Sequence, residues 1–345
     1  MDVIIVGAGP AGCKVGEIVS KRGYEVLILE EHTSVGEPVQ CTGLVSNRIG
    51  KLPKEVIINK IKKARFFSGK VFFEVKSKDM VYVIDRMKYD NFLASKAKQN
   101  GCEFNFSTRF LDFQNRLVKT NKKIFETKIL VGADGPNSSV AKSVGLKLPD
   151  NLLFGIQSTV EGTFESDAVE LHFGSKVTPD LFAWVVPENE RTARIGLLAN
   201  KNPSRYFEKF LKNRIGITER KATFGDTIRY GMIKKSVVDN VLLVGDAACQ
   251  VKPFSAGGIV YGQIGANLAG KTCIKAIEEN NFSKKFLSKN YDEKWKKELA
   301  NPIRKGLLMK KIFSKIQDRP FSFKLVKSLE ITRLSNFFDM DFLDK

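Results

Sequence analysis

A glycine-rich turn near the start of the chain constrains the fold more than any other feature. The run DVIIVGAGPAG places an apolar strand directly before Gly7, Gly9 and Gly12, and a helical pattern follows. Gly7 permits a tight turn, Gly9 lets a pyrophosphate approach the backbone, and Gly12 brings the helix close to the strand. The N–H groups of the helix N terminus then face the phosphates. The motif predicts a dinucleotide site, with a purely structural glycine turn as the alternative.

An acidic residue stands where such a site needs one. Glu30 ends the second apolar run, YEVLILE, 23 residues after Gly7. A carboxylate at this place can accept hydrogen bonds from ribose hydroxyls. Residues 2–30 therefore predict a Rossmann-like α/β unit, and Ala11 belongs to its cofactor-binding turn.

Two later strand ends also carry small and acidic residues. ILVGADGPNSSV, residues 129–140, ends an apolar strand near Asp134, and this pattern alone fits an ordinary strand-end turn as well as a ligand site. VLLVGDAACQVKPFSAGGIVYG, residues 241–262, places Asp246 where a carboxylate can bind a polyol chain. Gly257 and Gly258 precede a helix beginning near Ile259, whose dipole would stabilise negative charge on a ligand.

The remaining patterns predict an α/β fold with an inserted sheet. Residues 64–84 and 152–230 hold alternating β-type runs with one helix near Ser204–Asn213, and the pattern is helical from about Gly258 onward. We predict a discontinuous cofactor-binding domain, an antiparallel substrate-binding sheet domain and a helical C-terminal region. Their predicted bounds are 1–55, 81–150 and 235–280 for the first, 56–80 and 151–234 for the second, and 281–345 for the third.

Composition narrows the partners and the compartment. The formal net charge of +19 favours anionic partners, but no nucleic-acid motif accompanies it, so we expect no nucleic-acid partner. Because a strand pattern begins at once, we expect no secretory signal or transit peptide. No apolar run reaches the roughly 18 residues of a membrane-spanning helix. The five scattered cysteines lack CxxC or zinc spacing, which predicts reduced thiols in a cytosolic protein without a metal.

In this order, the three motifs resemble the FAD-binding signatures of the flavoproteins with the p-hydroxybenzoate hydroxylase fold. The resemblance covers most of residues 1–280 and implies FAD as the cofactor. It identifies Arg86, in VIDRMKYDNFLASKA, with the family's flavin-contacting arginine, for which a surface ion pair is the alternative. It also places Phe110 on the strand whose backbone meets the adenine. A second GxGxxG is absent, so the electron donor stays open among NAD(P)H, ferredoxin and others.

Two further stretches resemble the geranylgeranyl reductase family. EPVQCTGLVS is similar to its PxxCxG-type loop and implies that Cys41, Thr42 and Gly43 lie at the flavin. LFAWVVPENERTARIGLL is similar to the family's aromatic-x-Trp-x-x-Pro…Gly motif, which the family uses at the substrate and which is here Phe182, Trp184, Pro187 and Gly196. The family often has tyrosine in place of Phe182 and a second glycine in place of Leu198.

The residues themselves leave two of these roles open. Cys41 fits either a small apolar residue packed in a loop or a group at the reacting face of the flavin that orients the alkene or relays a proton. Phe182 and Trp184 alternate on one strand, a pattern that suits a protein core as well as the wall of an apolar channel.

The resemblance implies an FAD-dependent reductase that hydrogenates C=C bonds of geranylgeranyl chains, as in archaeal membrane ether lipids. The alternatives are an FAD monooxygenase or halogenase on an apolar substrate, and a non-catalytic flavin-containing lipid-binding protein. GLLMKKIFSKI combines apolar and basic residues, so it suits an anionic lipid surface, although a helix with a solvated lysine face is the alternative. We expect a cytoplasmic protein, peripheral at the cytoplasmic membrane.

Overall fold

The computed structural model describes residues 1–39, 41–69, 71–179, 181–216, 220–316 and 341. The strands lie at β1 (Val3–Val6), β2 (Val26–Leu29), β3 (Leu44–Ser46), β4 (Ile57–Ser68), β5 (Val71–Ile84), β6 (Glu103–Asn105), β7 (Phe110–Gln114), β8 (Leu117–Thr120), β9 (Ile124–Glu126), β10 (Ile129–Gly132), β11 (Leu152–Glu161), β12 (Ala168–Phe173), β13 (Phe182–Pro187), β14 (Thr192–Ala199), β15 (Arg220–Arg229), β16 (Val237–Val238) and β17 (Val241–Leu243). The α-helices are α1 (Pro10–Ser20), α2 (Arg86–Gln99), α3 (Ser139–Ser143), α4 (Pro203–Ile215), α5 (Ile259–Glu278), α6 (Lys284–Leu287) and α7 (Glu293–Ile316).

The first sheet is the predicted Rossmann-like unit. Its strand order is β16-β17-β10-β1-β2-β6, and every pair except β16–β17 is parallel. The strands β1 and β2 are buried along their whole length, as expected when helices cover both faces of a parallel sheet. Helix α1 packs against α2 and α5 beside this sheet. The carboxyl ends of β1, β10 and β17 therefore meet at one edge, where the three glycine-rich or acidic motifs follow them.

The second sheet carries the predicted substrate motif. Its order is β15-β11-β14-β13-β12-β4-β5-β3, and the pairing is antiparallel except between β12 and β4. Strand β3 joins this sheet through β5, with Leu44 opposite Val83. The predicted domain bound at 55/56 thus separates β3 from the sheet that it joins, and the bound at 80/81 falls inside β5.

Helices complete the molecule on both sides. Helix α4 covers the outer face of the second sheet with Phe207, Phe210 and Leu211, and its bounds include the predicted helix at Ser204–Asn213. Helices α6 and α7 follow α5, so the C-terminal region is helical as far as Ile316. The rest of the region predicted to be helical lies outside the described residues, apart from Asp341. None of the helices in the described ranges is long and apolar enough to cross a membrane.

Candidate active site

The glycine turn has the geometry that a diphosphate needs. Gly7 adopts φ +101°, and a side chain there would collide with the backbone carbonyl of Ala133. A Cβ at Gly12 would overlap the carbonyl oxygen of Gly7, so helix and turn can meet only at glycine. Gly9 is the N-cap of α1, and a Cβ built there would have no heavy atom within 4 Å. The helix N terminus therefore opens onto free space, as an approaching pyrophosphate requires.

Glu30 connects this turn with the loop after β2. Its Oε2 accepts a hydrogen bond from the Ala8 N–H at 2.8 Å, and its Oε1 accepts one from the His32 N–H at 2.9 Å. The His32 ring nitrogen Nδ1 lies 2.7 Å from the same Oε1. The carboxylate is thus fixed beside the phosphate-binding turn, and its bond to a ribose stays a prediction.

The start of α5 provides a second glycine-rich turn that could hold part of the cofactor. Gly258 caps the helix, and a Cβ there would lie 2.5 Å from Asp246 Oδ1, so the carboxylate sits directly on the helix N terminus. A Cβ at Gly257 would lie 2.5 Å from Lys252 Cε. In the same turn, the Ser255 hydroxyl is buried and has no hydrogen-bond partner in the described part of the chain. A polar ring edge at this place would satisfy that hydroxyl, so the residues fit a flavin.

Asp246 itself has an altered acidity. Burial and the nearby charge of Asp226 raise the pKa of the Asp246 carboxyl to about 6, while the guanidinium of Arg86 acts in the opposite direction. The carboxyl thus takes up a proton far more readily than an ordinary aspartate. A hydroxyl-rich ligand can pair with either form, because a carboxylate accepts hydrogen bonds and a carboxylic acid also donates one.

The loop that carries Cys41 is tied down at several points. The Gly43 N–H donates to Cys41 Sγ at 3.3 Å, and Gly43 adopts φ +70°. Arg194 donates from Nη1 to the carbonyls of Thr42, at 2.5 Å, and Ile84, at 3.0 Å. The backbone around Cys41 is therefore held by a buried arginine of the second sheet.

Arg86 lies beside Cys41 at the start of α2. Its Nε and Nη2 donate to the two carboxylate oxygens of Asp90 at 3.1 and 2.9 Å. Burial acts to lower the pKa of Arg86, but the neighbouring Cys41 and Asp90 outweigh it and raise that pKa. Arg86 is thus a mostly buried cation that pairs with Asp90 beside the thiol. Its contact with the flavin stays a prediction.

The predicted substrate residues meet this loop from the second sheet. Gly196 lies opposite Trp184 in the β13–β14 register, and only a glycine leaves room for the indole. Gln157 Oε1 accepts hydrogen bonds from Thr42 Oγ1 at 2.7 Å and from Trp184 Nε1 at 3.3 Å. The ring of Phe182 packs 6.2 Å from that of Trp184. The structure therefore brings the two family-type motifs together through one glutamine.

Four other predicted residues have clear structural surroundings. Ala11 packs its methyl group against Gly245, and Phe110 is a buried residue that begins β7. The carboxylate of Asp134 accepts hydrogen bonds from Ser138 and Val140 at the start of α3, and Pro187, at the end of β13, accepts one from Asn59. Contact of these residues with cofactor or substrate stays a prediction.

Sequence reasoning did not single out Gln157, Arg194 or Ser255. Each belongs to a stretch that the sequence showed to be a strand or a turn, but their roles depend on the register between β11, β13 and β14 and on the approach of the Cys41 loop. A signal was present for Ser255 alone, because it lies within the third motif. Among the described residues, no group of three His, Cys, Asp or Glu side chains can hold a metal ion, and all five cysteines are free.

Residues 1–271 match the family model of the FAD-binding domain. The chain belongs to this family. FAD is therefore the cofactor of this protein. Its contacts with the glycine-rich turns and the acidic residues described above stay predictions.

Two curated relatives from Methanocaldococcus jannaschii align over most of the chain. An uncharacterized protein is 32% identical, over 99% of this chain and 92% of its own. A digeranylgeranylglycerophospholipid reductase is 30% identical, over 92% of this chain and 88% of its own. This likeness shows that the chain also belongs to the family of these reductases.

A solved structure has the same fold. The geranylgeranyl bacteriochlorophyll reductase-like protein of Thermoplasma acidophilum superposes with a TM-score of 0.90 at 23% identity, over 99% of this chain and 94% of its own. The α/β fold with its second sheet and C-terminal helices is thus confirmed.

Proposed function

We propose that this protein is an FAD-dependent reductase that hydrogenates C=C bonds in geranylgeranyl chains of a membrane ether lipid. The observation that carries the proposal is the junction built by Gln157, which joins the Cys41 loop at the flavin site to Trp184 on an apolar sheet face. The names of the aligned reductases support the same substrate class.

The sheet face offers a surface suited to a prenyl chain. Starting at Trp184, a row of aromatic rings runs along this face. The ring centroids lie 6.2 Å apart for Trp184 and Phe182, 6.0 Å apart for Phe182 and Phe254, and 5.6 Å apart for Phe254 and Phe313 of α7. We call these four residues the aromatic path. An isoprenoid tail needs apolar walls and few polar partners, which this path supplies.

The chain's own residues would prepare the reaction in two ways. Reduced FAD supplies hydride chemistry when bound. The Arg86 guanidinium and the Gly43 N–H hold the Cys41 thiol at one side of the site. The packed rings of Trp184 and Phe182 would exclude water from the other side. Such fixed placement of the reacting carbons lowers the entropic part of the barrier.

A reductive test separates this function from the alternatives. We expect the dithionite-reduced holoprotein, mixed anaerobically with geranylgeranyl lipid, to add hydrogen pairs that mass spectrometry detects, and Cys41→Ala to slow or redirect the addition. Unchanged lipid together with rapid reoxidation of the flavin by air would support a monooxygenase instead. A bound flavin that no reductant bleaches would support a lipid-binding protein.

We also propose that the protein works at a membrane surface. On α7, Leu308 and Ile312 are 58% and 49% exposed, and they lie one turn apart among exposed basic residues, next to the end of the aromatic path at Phe313. Apolar side chains flanked by lysines suit an anionic lipid surface. A lipid headgroup bound there would leave its tail free to follow the aromatic path.

Vesicle sedimentation tests this placement. We expect the protein to bind anionic vesicles, and Leu308→Asp with Ile312→Asp to weaken binding about tenfold or more, since each change removes apolar burial of roughly 1–2 kcal/mol. Ile124→Asp, at an equally exposed residue of β9, is the matched control and should bind normally. Equal loss in both variants, or none in either, would contradict the proposal.

A further inference from the structure

Saturating an isolated alkene takes a proton as well as a hydride, so the site needs an acid. A carboxyl group is a stronger acid than a thiol, so a carboxyl near the sheet is a better candidate for the proton donor than Cys41. To reach the alkene, the acid must lie on the apolar face of the second sheet and close to the residues predicted to bind the flavin. It must also hold a proton at working pH.

Asp226 occupies that position on the second sheet. It lies opposite Gly155 in the β11–β15 register, next to the row in which Gln157 faces Phe224. A Cβ at Gly155 would contact Ile228 and Leu198, which shows that the face of Gly155 is the apolar one. Since Asp226 alternates with Ile228 along β15, it points to the same side as the aromatic path.

Groups of the cofactor-binding domain face the Asp226 carboxyl. The guanidinium of Arg86 on α2 and the carboxyl of Asp246 after β17 both interact electrostatically with it. These are the same two residues that border the flavin cradle and the Cys41 thiol. Asp226 thus belongs to the junction between the cofactor and the apolar face.

The surroundings of Asp226 favour its protonated form. Burial raises the pKa of the Asp226 carboxyl, while the Thr227 N–H and the charge of Arg86 act in the opposite direction. Its Oδ1 accepts the Thr227 N–H at 2.6 Å, and no second hydrogen-bond partner of this carboxyl is present in the described ranges. One oxygen is therefore available to carry a transferable proton.

We propose that Asp226 is the proton donor of the reduction, an assignment that rests on the proposed function. One alkene carbon takes the proton from the Asp226 carboxyl through the π electron pair, and the other carbon takes the hydride that reduced FAD provides. Both C–H bonds form as the π bond is lost, and Asp226 is left as a carboxylate. Water returns its proton, since the residue is only partly buried.

The first test needs no substrate. Infrared difference spectra of the holoprotein, wild type minus Asp226→Asn, should contain a protonated-carboxyl C=O band that persists to a higher pH than the band of an ordinary aspartate and disappears as pH rises further. FAD affinity and unfolding temperature of the variant should stay near those of the wild type, and Glu161→Gln on β11 should give no such band. Absence of the band would overturn the assignment.

The second test measures the reaction in a single anaerobic turnover with geranylgeranyl lipid. We expect Asp226→Asn to slow reduction at least 100-fold and to lose the decline of rate with rising pH, and Asp226→Glu to restore part of both. If Asp226→Asn keeps the wild-type rate and pH profile, the role of Asp226 is disproved while the proposed function still stands. Wild-type protein that leaves the lipid unsaturated would instead disprove the proposed function, and the assignment with it.

Discussion

Trp184 can occupy its place only because residue 196 has no side chain. A Cβ there would lie 2.6 Å from both Trp184 Cε2 and the Ile156 carbonyl oxygen. We expect Gly196→Ala to displace the indole, break its hydrogen bond to Gln157 and lower the free energy of unfolding by about 1–3 kcal/mol. Thermal unfolding and tryptophan fluorescence of the holoprotein measure both effects.

A second glycine of the same sheet provides the control for this prediction. A Cβ at Gly155 would meet nothing closer than 3.5 Å, so Gly155→Ala should change stability by less than about 0.5 kcal/mol. Equal unfolding temperatures for the two variants would show that the indole does not depend on Gly196.

At the scale of residues, the sequence predicted those positions where the backbone geometry admits a single residue type. Gly7, Gly12 and Gly258 could be predicted, because a phosphate-binding turn and a helix start need glycine at fixed spacing. Gln157 could not, since a glutamine in a strand has no specific meaning until register places its amide between Thr42 and Trp184. Arg86 was ambiguous for the same reason, since its neighbour Cys41 is distant in sequence.

At the scale of elements, an ion pair fastens α4 to the second sheet. Arg214, in the last turn of α4, donates to both oxygens of Glu170 on β12 at 2.8 and 2.6 Å, and His172 Nε2 lies 2.8 Å from the same carboxylate. Burial opposes ionisation of Glu170, but Arg214 and His172 prevail and lower its pKa to about 2. The carboxylate thus stabilises the folded protein.

The pH dependence follows from this lowered pKa. Above pH 4.5 the pair contributes about 3 kcal/mol, and the contribution falls to roughly half near pH 3 and vanishes as pH drops through 2. Glu170→Gln should therefore destabilise at pH 7 and much less at pH 3 in urea unfolding. Glu165→Gln, in a more exposed pair with Lys63, should cost less than about 1 kcal/mol. A Glu170→Gln effect that does not change with pH would contradict the argument.

The helices and strands show which parts of the fold could be predicted from sequence patterns. The βαβ unit of β1, α1 and β2 and the helix α4 have strong periodicity, so they could be predicted with bounds close to the observed ones. The extent of the second sheet could not, because β3 contributes only three residues and its membership depends on pairing with β5. Short segments carry too little periodicity to reveal which sheet they join.

At the scale of the whole molecule, Asp341 links the C-terminal region to the candidate flavin site. Its fully buried carboxylate accepts hydrogen bonds from Ser46 of β3 and, at 2.9 Å, from the Lys252 ammonium, and its carbonyl accepts one from the Tyr261 hydroxyl at 2.6 Å. Lys252 in turn packs against Gly257 at the start of α5. A single residue thus joins three segments that border the candidate flavin site.

Removing this charge should therefore affect both stability and cofactor binding. Asp341→Asn deprives a buried ammonium of its carboxylate, so we expect a loss of about 3–5 kcal/mol in unfolding free energy. We also expect FAD to bind about tenfold more weakly, because the Lys252–Gly257 contact orders the helix start that is predicted to meet the flavin. Flavin fluorescence titration and thermal unfolding measure the two effects, with Asp167→Asn, in an exposed pair with Lys63, as the neutral control. If the Asp341→Asn protein is less stable but binds FAD with unchanged affinity, Asp341 stabilises the fold and does not influence cofactor binding.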